Sequence, residues 1–119
     1  MILSIVTVVK NDASRLLKTI ESLKDCYNDK NFEHIIVDGK STDNTSNIIK
    51  KIKQENKNIL FKSSQDNGIY DAMNVGIDLS NGDFILFLNA GDKLIADKYQ
   101  LLKKINIYRL RASHIMLSI

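Results

Sequence analysis

Phe84-Ile85-Leu86-Phe87-Leu88 is an unbroken apolar run that stops abruptly at Asn89-Ala90-Gly91-Asp92. A strand that is apolar on both sides must be covered on both faces. A parallel sheet flanked by helices provides that cover; an antiparallel sheet open to water does not. Runs of the same kind recur upstream over residues 2–9, 32–37 and 58–62. Between them lie apolar residues at helical spacing: Leu16, Leu17, Ile20 and Leu23; then Ile48, Ile49 and Ile52; then Ile69, Ala72, Met73, Gly76 and Ile77. Asn81-Gly82 stops the last of these helices. The expected order is β-α-β-α-β-α-β, with a further helix over about 96–110. Strands that alternate with helices pair in parallel through right-handed crossovers, so the fold class is α/β, a mostly parallel sheet with helices on both faces.

In such a sheet the loop after each strand opens on one edge, and ligands bind there. Here those loops carry Asn11 and Asp12, Asp38 and Gly39, Asp66 and Asn67, and Asn89 and Asp92. Carboxylates and amides converging on one crevice suit a hard divalent cation, Mg2+ or Mn2+, bound partly through a substrate's phosphates. The chain has no Gly-x-x-x-x-Gly-Lys-Ser/Thr loop and no Gly-x-Gly-x-x-Gly after its first strand. Without a glycine cradle, a diphosphate needs another counter-charge, and a carboxylate-held metal ion supplies it. Asp92 is the first candidate. Its residue type and place allow two roles, ligand-binding acid or N-cap of the helix that follows.

Composition narrows the class. The 119 residues suffice for one domain with a modest core, and no apolar run approaches the ~20 residues of a membrane span. The N-terminus lacks a basic segment and runs straight into a strand pattern, so no signal peptide is expected. The single Cys26 excludes an internal disulfide, and no Cys/His metal cluster exists. Residues 1–92 hold 11 Lys and Arg against 13 Asp and Glu. Residues 93–119 are basic, with Lys93, Lys98, Lys103, Lys104, Arg109 and Arg111 against Asp97. Such an end can meet an anionic membrane surface or nucleic acid, or form a solvated helix face, and the solvated face is the expectation. His34 and His114 are expected to be structural or surface residues, and Cys26 incidental.

Three stretches carry a family resemblance. Val37-Asp38-Gly39-Lys40-Ser41-Thr42-Asp43-Asn44-Thr45, Asp66-Asn67-Gly68-Ile69-Tyr70-Asp71-Ala72-Met73-Asn74-Val75-Gly76, and Phe87-Leu88-Asn89-Ala90-Gly91-Asp92 resemble the family 2 glycosyltransferases. They are most similar to the bacterial branch that builds O-antigen, capsule or colanic-acid-type polysaccharides. The resemblance covers residues 2–97. It implies the nucleotide-sugar-binding half of a GT-A (Rossmann-like) fold. It also implies inverting transfer of a sugar from a nucleotide diphosphate donor, usually UDP-linked, to a saccharide or lipid-linked acceptor. By the same resemblance Val8, Asp38, Asp66, Asn89 and Gly91 lie on the nucleotide side, and Asp92 holds a divalent Mn2+ or Mg2+ on the diphosphate. A cytoplasmic location, with peripheral contact at the inner face of the membrane, is implied as well; nucleic acid is not an expected partner.

Three positions depart from the family pattern. Gly39 stands where many members carry a second aspartate at the base, Gly91 where many carry an acid that reaches the ribose, and Lys10 where an apolar or aromatic residue is common. Family members also continue well beyond the metal motif, into a half that supplies the acceptor site and the catalytic base. Residues 98–119, read as a basic C-terminal helix or tail, show no motif of that half, so the chain is expected to be truncated and no catalytic residue is named. Two other readings are weighed: a nucleotide-sugar-binding module that depends on a partner for turnover, and a receiver-like signalling domain with Asp38 as phosphoacceptor. The latter leaves the three motifs unexplained.

Overall fold

Seven consecutive buried residues, Leu3–Val9, form the central strand β1 of a computed structural model that describes residues 2–65, 68–95 and 115–117. On one side β1 pairs with β2 (Phe32–Asp38), and β2 with β3 (Ile59–Ser63). On the other side β1 pairs with β4 (Phe84–Phe87), and β4 with β5 (Ile115–Leu117). All four pairings are parallel, in the order β3-β2-β1-β4-β5. Helices α1 (Ala13–Ser22), α2 (Thr45–Glu55) and α3 (Ile69–Leu79) make the connections. The expected α/β alternation is therefore present. Strand β5 is an element that the alternation did not predict. The helix expected over about 96–110 lies outside the described residues, as do Asp66, Asn67 and His114.

The period of two along each strand divides the core. Val9, Ile36 and Ile59 pack with Leu16 of α1 and Ile49 of α2. Leu3, Ile5, Phe84 and Leu86 continue that face with Leu23 and Cys26. Val6, Val8, Ile35, Val37 and Ile85 cover the opposite face with Ala72 of α3. Helices thus lie on both faces, which is why the apolar runs show no alternation. No described helix is long and apolar enough to cross a membrane.

One reading of a single residue is corrected and another is filled in. Leu17, placed on the buried stripe of α1, is 43% exposed. The inward stripe is Leu16, Thr19 and Leu23, and Leu17 sits a quarter-turn or so off it. Cys26 is a core residue, because the polar stretch around it tightens into a 3-10 turn, Cys26–Asn28, that turns the thiol inward. His34 is structural, as expected, and fully buried. Its Nε2 lies 2.7 Å from Thr7 Oγ1 and its Nδ1 2.7 Å from the Tyr27 hydroxyl. A neutral ring donates at one nitrogen and accepts at the other, so both polar edges are satisfied.

Helix α3 packs tightly against β1 at Gly76. A Cβ there would fall 2.3 Å from Val6 Cγ1, inside a fully buried strand. Gly76→Ala is expected to lower stability by about 1–3 kcal/mol despite alanine's better helix propensity, as overpacking does. Urea denaturation of the two chains measures it; an unchanged midpoint would show that α3 shifts freely on the sheet.

Candidate functional site

The register brings the ends of β1, β2 and β3 level, with Val9 opposite Asp38 and Asp38 opposite Ser63. Asp38 is only 1% exposed. A buried carboxylate needs donors on its oxygens, and it has them. Ser41 Oγ donates to Oδ1, while Oδ2 accepts from the Ser41 N–H at 3.2 Å and from Ser63 Oγ at 3.4 Å. The Asp38 carbonyl accepts from the Ser64 N–H at 2.9 Å. One side chain thereby ties the loops after β2 and β3.

Asn11 ties the loop after β1 to the same place. Its φ is +50°, a left-handed conformation that Asn tolerates better than most residues. From there Oδ1 accepts from the Thr42 N–H at 2.7 Å and the Asp43 N–H at 3.2 Å, and the Asn11 N–H donates to Ser41 Oγ at 2.8 Å. Asp43 starts α2 by accepting from the Thr45 N–H at 2.9 Å and from Thr45 Oγ1 at 2.5 Å. Those bonds hold its carboxyl below the usual carboxylate range.

The loop after β4 is held differently. Leu88 still bonds to β1 through its N–H and the Val6 carbonyl, and the chain then turns. The Asp92 N–H donates to the Asn89 carbonyl at 2.9 Å, and Asp92 Oδ2 accepts from the Asn89 N–H at 3.2 Å. Gly91 has a φ of +99°, which disfavours any side chain, and a Cβ there would press on Arg15 Cδ at 3.2 Å. This turn rests on α1. Gly91 donates its N–H to the Arg15 carbonyl at 3.1 Å and to Thr19 Oγ1 at 2.9 Å, and Thr19 Oγ1 donates to the Asp92 carbonyl at 2.7 Å. Ser22 Oγ accepts from the Leu94 N–H at 3.1 Å. Asp12 caps α1 through the Arg15 N–H and pairs with the Arg15 guanidinium at 3.5 Å.

The structure thus places Asp38 buried at the sheet edge, with Asn89 and Asp92 exposed and Gly91 half-buried in the turn after β4. Val8 is 9% exposed and packs into the α3 face near the end of β1. Asp66 lies outside the described residues. Thr19, Ser22, Ser63 and the bridging role of Asn11 were missed by sequence reasoning. A threonine between Leu16 and Leu23, on the apolar stripe of a helix, was the available signal for Thr19.

Among the described residues, no three His, Cys, Asp or Glu side chains gather to cage a cation. Asp92 offers one exposed carboxylate with an oxygen still free of the backbone bond. Such a donor set fits an Mg2+-type ion that takes its remaining oxygens from substrate phosphates and water.

Residues 4–108 match Glycosyl transferase family 2. A PGL/p-HBAD biosynthesis glycosyltransferase of Mycobacterium bovis (strain BCG / Pasteur 1173P2) is 42% identical over 64 residues, covering 53% of this chain and 25% of that protein. The crystal structure of S. aureus TarS 1-349 in complex with UDP-GlcNAc superposes with a TM-score of 0.74 at 23% identity, over 87% of this chain and 30% of that one. The mannosyltransferase PcManGT from Pyrobaculum calidifontis, in complex with GDP-Man and Mn2+, gives 0.65 at 17% identity, over 82% and 30%. The two structures share the fold. The chain spans less than a third of the length of each of these proteins.

Proposed function

The chain belongs to glycosyl transferase family 2, and from that premise we propose that its sheet edge is the donor site of an inverting sugar transfer. The donor is a nucleotide diphosphate sugar, with UDP the first choice of nucleotide. The acceptor is a saccharide or lipid-linked hydroxyl in bacterial surface polysaccharide synthesis. The observation that carries the reading is the exposed Asp92 carboxylate in a turn clamped to α1, at the same edge as the Asp38-organised loops. That arrangement supports a diphosphate on the Asp92 side and a nucleoside on the side of Asp38 and the end of β1 at Val8; Asp66 is proposed for the nucleoside on the motif resemblance alone.

Each residue has a task in this reading. Asp38 holds the 39–43 loop in shape through Ser41, so that loop backbone is presented to the nucleoside. Gly91, without a side chain, lets the turn lie directly against Arg15 of α1, and Asn89 offers an exposed amide in the same turn. Asp92 would hold a divalent Mn2+ or Mg2+, which, when bound, neutralises the diphosphate as leaving group. Transfer breaks the bond from the anomeric carbon to the diphosphate oxygen. The acceptor oxygen bonds to the opposite face of that carbon and gives its proton to a base. The basic residues from Lys93 onward support peripheral contact with an anionic membrane surface on the cytoplasmic side.

Calorimetric titration of UDP into the chain, with and without Mn2+, tests the reading, with GDP and dTDP run in parallel. Binding of one of the three is expected with metal and not without it. A folded chain that takes up none of them would overturn the donor site.

A further inference from the structure

Resting on the reading of Asp92 as the metal-holding carboxylate, we infer that Thr19 is a positioning residue for it. Its hydroxyl fixes the 89–92 turn to helix α1 and thereby sets the metal affinity of the donor site. Thr19 is fully buried, in the middle of an otherwise apolar stripe. A hydroxyl has one proton and two lone pairs. The proton goes to the nearest carbonyl, that of Asp92 at 2.7 Å; the carbonyls of Asn89 at 3.3 Å and Arg15 at 3.4 Å are farther. A lone pair takes the Gly91 N–H at 2.9 Å.

Those two bonds grip the peptide groups on either side of the Gly91-Asp92 pair. With both held, the backbone of Asp92 has one direction in which to send its side chain. The Asn89 N–H on Oδ2 then fixes how that side chain is turned. Ser22 extends the grip by one step: its hydroxyl donates to the Thr19 carbonyl at 2.7 Å and accepts the Leu94 N–H. Through these bonds helix α1 bears on where the carboxylate points. Packing alone does not need a hydroxyl at position 19, since valine has the same shape.

The test compares Thr19→Val, which removes the hydroxyl, with Thr19→Ser, which keeps it. The readouts are the Mn2+ concentration that half-restores nucleoside diphosphate binding and the thermal unfolding midpoint without metal. Whichever of UDP, GDP and dTDP the wild-type chain binds best serves as the probe. Thr19→Val is expected to raise the Mn2+ midpoint by about tenfold or more, the scale on which groups supporting a metal ligand act, with Thr19→Ser close to wild type. An unchanged Mn2+ midpoint beside a metal-dependent wild type, whether or not the unfolding midpoint falls, would overturn the inference and leave the role of Asp92 standing. A serine chain that fails as badly as the valine chain would assign the effect to the methyl group and overturn it too. A wild type that binds a nucleotide equally well without Mn2+ would overturn the reading of Asp92, and the inference with it. Should Thr19→Val not fold, Ser22→Ala decides: a smaller rise in the same direction supports the inference, and none overturns it.

Discussion

The Asp92→Ala chain is expected to lose all Mn2+-dependent binding of nucleoside diphosphate while unfolding within about 0.5 kcal/mol of the wild type, as surface substitutions do. The two halves of that expectation have separate physical grounds. Asp92 is exposed, and its carboxylate makes one backbone hydrogen bond, to the Asn89 N–H, which water can replace. The turn itself keeps the Thr19 bonds, which run to the backbone of Gly91 and Asp92 and survive truncation of the side chain. Metal binding has no such reserve, because among the described residues no acidic cluster stands in for the lost carboxylate. Asp92→Asn separates charge from geometry: it keeps an oxygen for the Asn89 N–H and is expected to fail at metal binding as well. Calorimetry with and without Mn2+, beside urea denaturation, checks both variants. A large loss of stability with the metal response intact would show that the carboxylate is a structural cap.

A second large effect is expected from acid. Burial pushes the His34 imidazole down to about 3, so it is neutral in the fold. Its hydrogen-bond partners are the neutral Thr7 and Tyr27, so neither of them offsets a charge there. Burial likewise raises the Tyr27 phenol, keeping it protonated. In the unfolded chain His34 titrates near 6.5, so below that pH the unfolded state binds the extra proton and stability falls. Stability is full above about 6.5 and declines by about 1.4 kcal/mol per pH unit until the folded ring charges near 3. About 2 kcal/mol is lost by pH 5, where most carboxylates have scarcely begun to titrate. The total, on the order of 5 kcal/mol, is comparable with the whole stability of a small domain. Urea midpoints at pH 7, 6 and 5 measure the slope, and His34→Gln, which keeps a donor and an acceptor, is expected to flatten it. Equal slopes in the two chains would place the acid sensitivity elsewhere.

The sheet was legible from its apolar runs because strands buried on both faces cannot disguise themselves with polar alternation. Strand ends fell within about a residue of expectation, and the gathering of Asp38 and Asp92 at one edge followed from parallel topology alone. What was not legible were contacts set by burial rather than by residue type. Thr19 is polar and fully buried, Leu17 is apolar and exposed, and in a helix only a one-position rotation of the stripe separates the two outcomes. Cys26 sits in a polar stretch and still reaches the core, because a single 3-10 turn reverses its direction. Asp38 was legible as an acid at the sheet edge, but its partners Ser41 and Ser63 were not, since no spacing announces them. Strand β5 is three residues long, too short to show a period.

The position of β1 in the sheet also governs how the chain must be born. Leu3 meets Phe32 on one flank and Phe84 on the other. A nascent chain leaving the ribosome can dock its second strand once the 10–31 connection with α1 has emerged, and close that flank. The other flank stays bare until residues 84–87 emerge, and a loop of that span closes slowly. Throughout that interval a fully buried strand of the finished protein is an open sheet edge, the kind of surface on which strands of other chains add. Any translational pause before Phe84 lengthens that exposure.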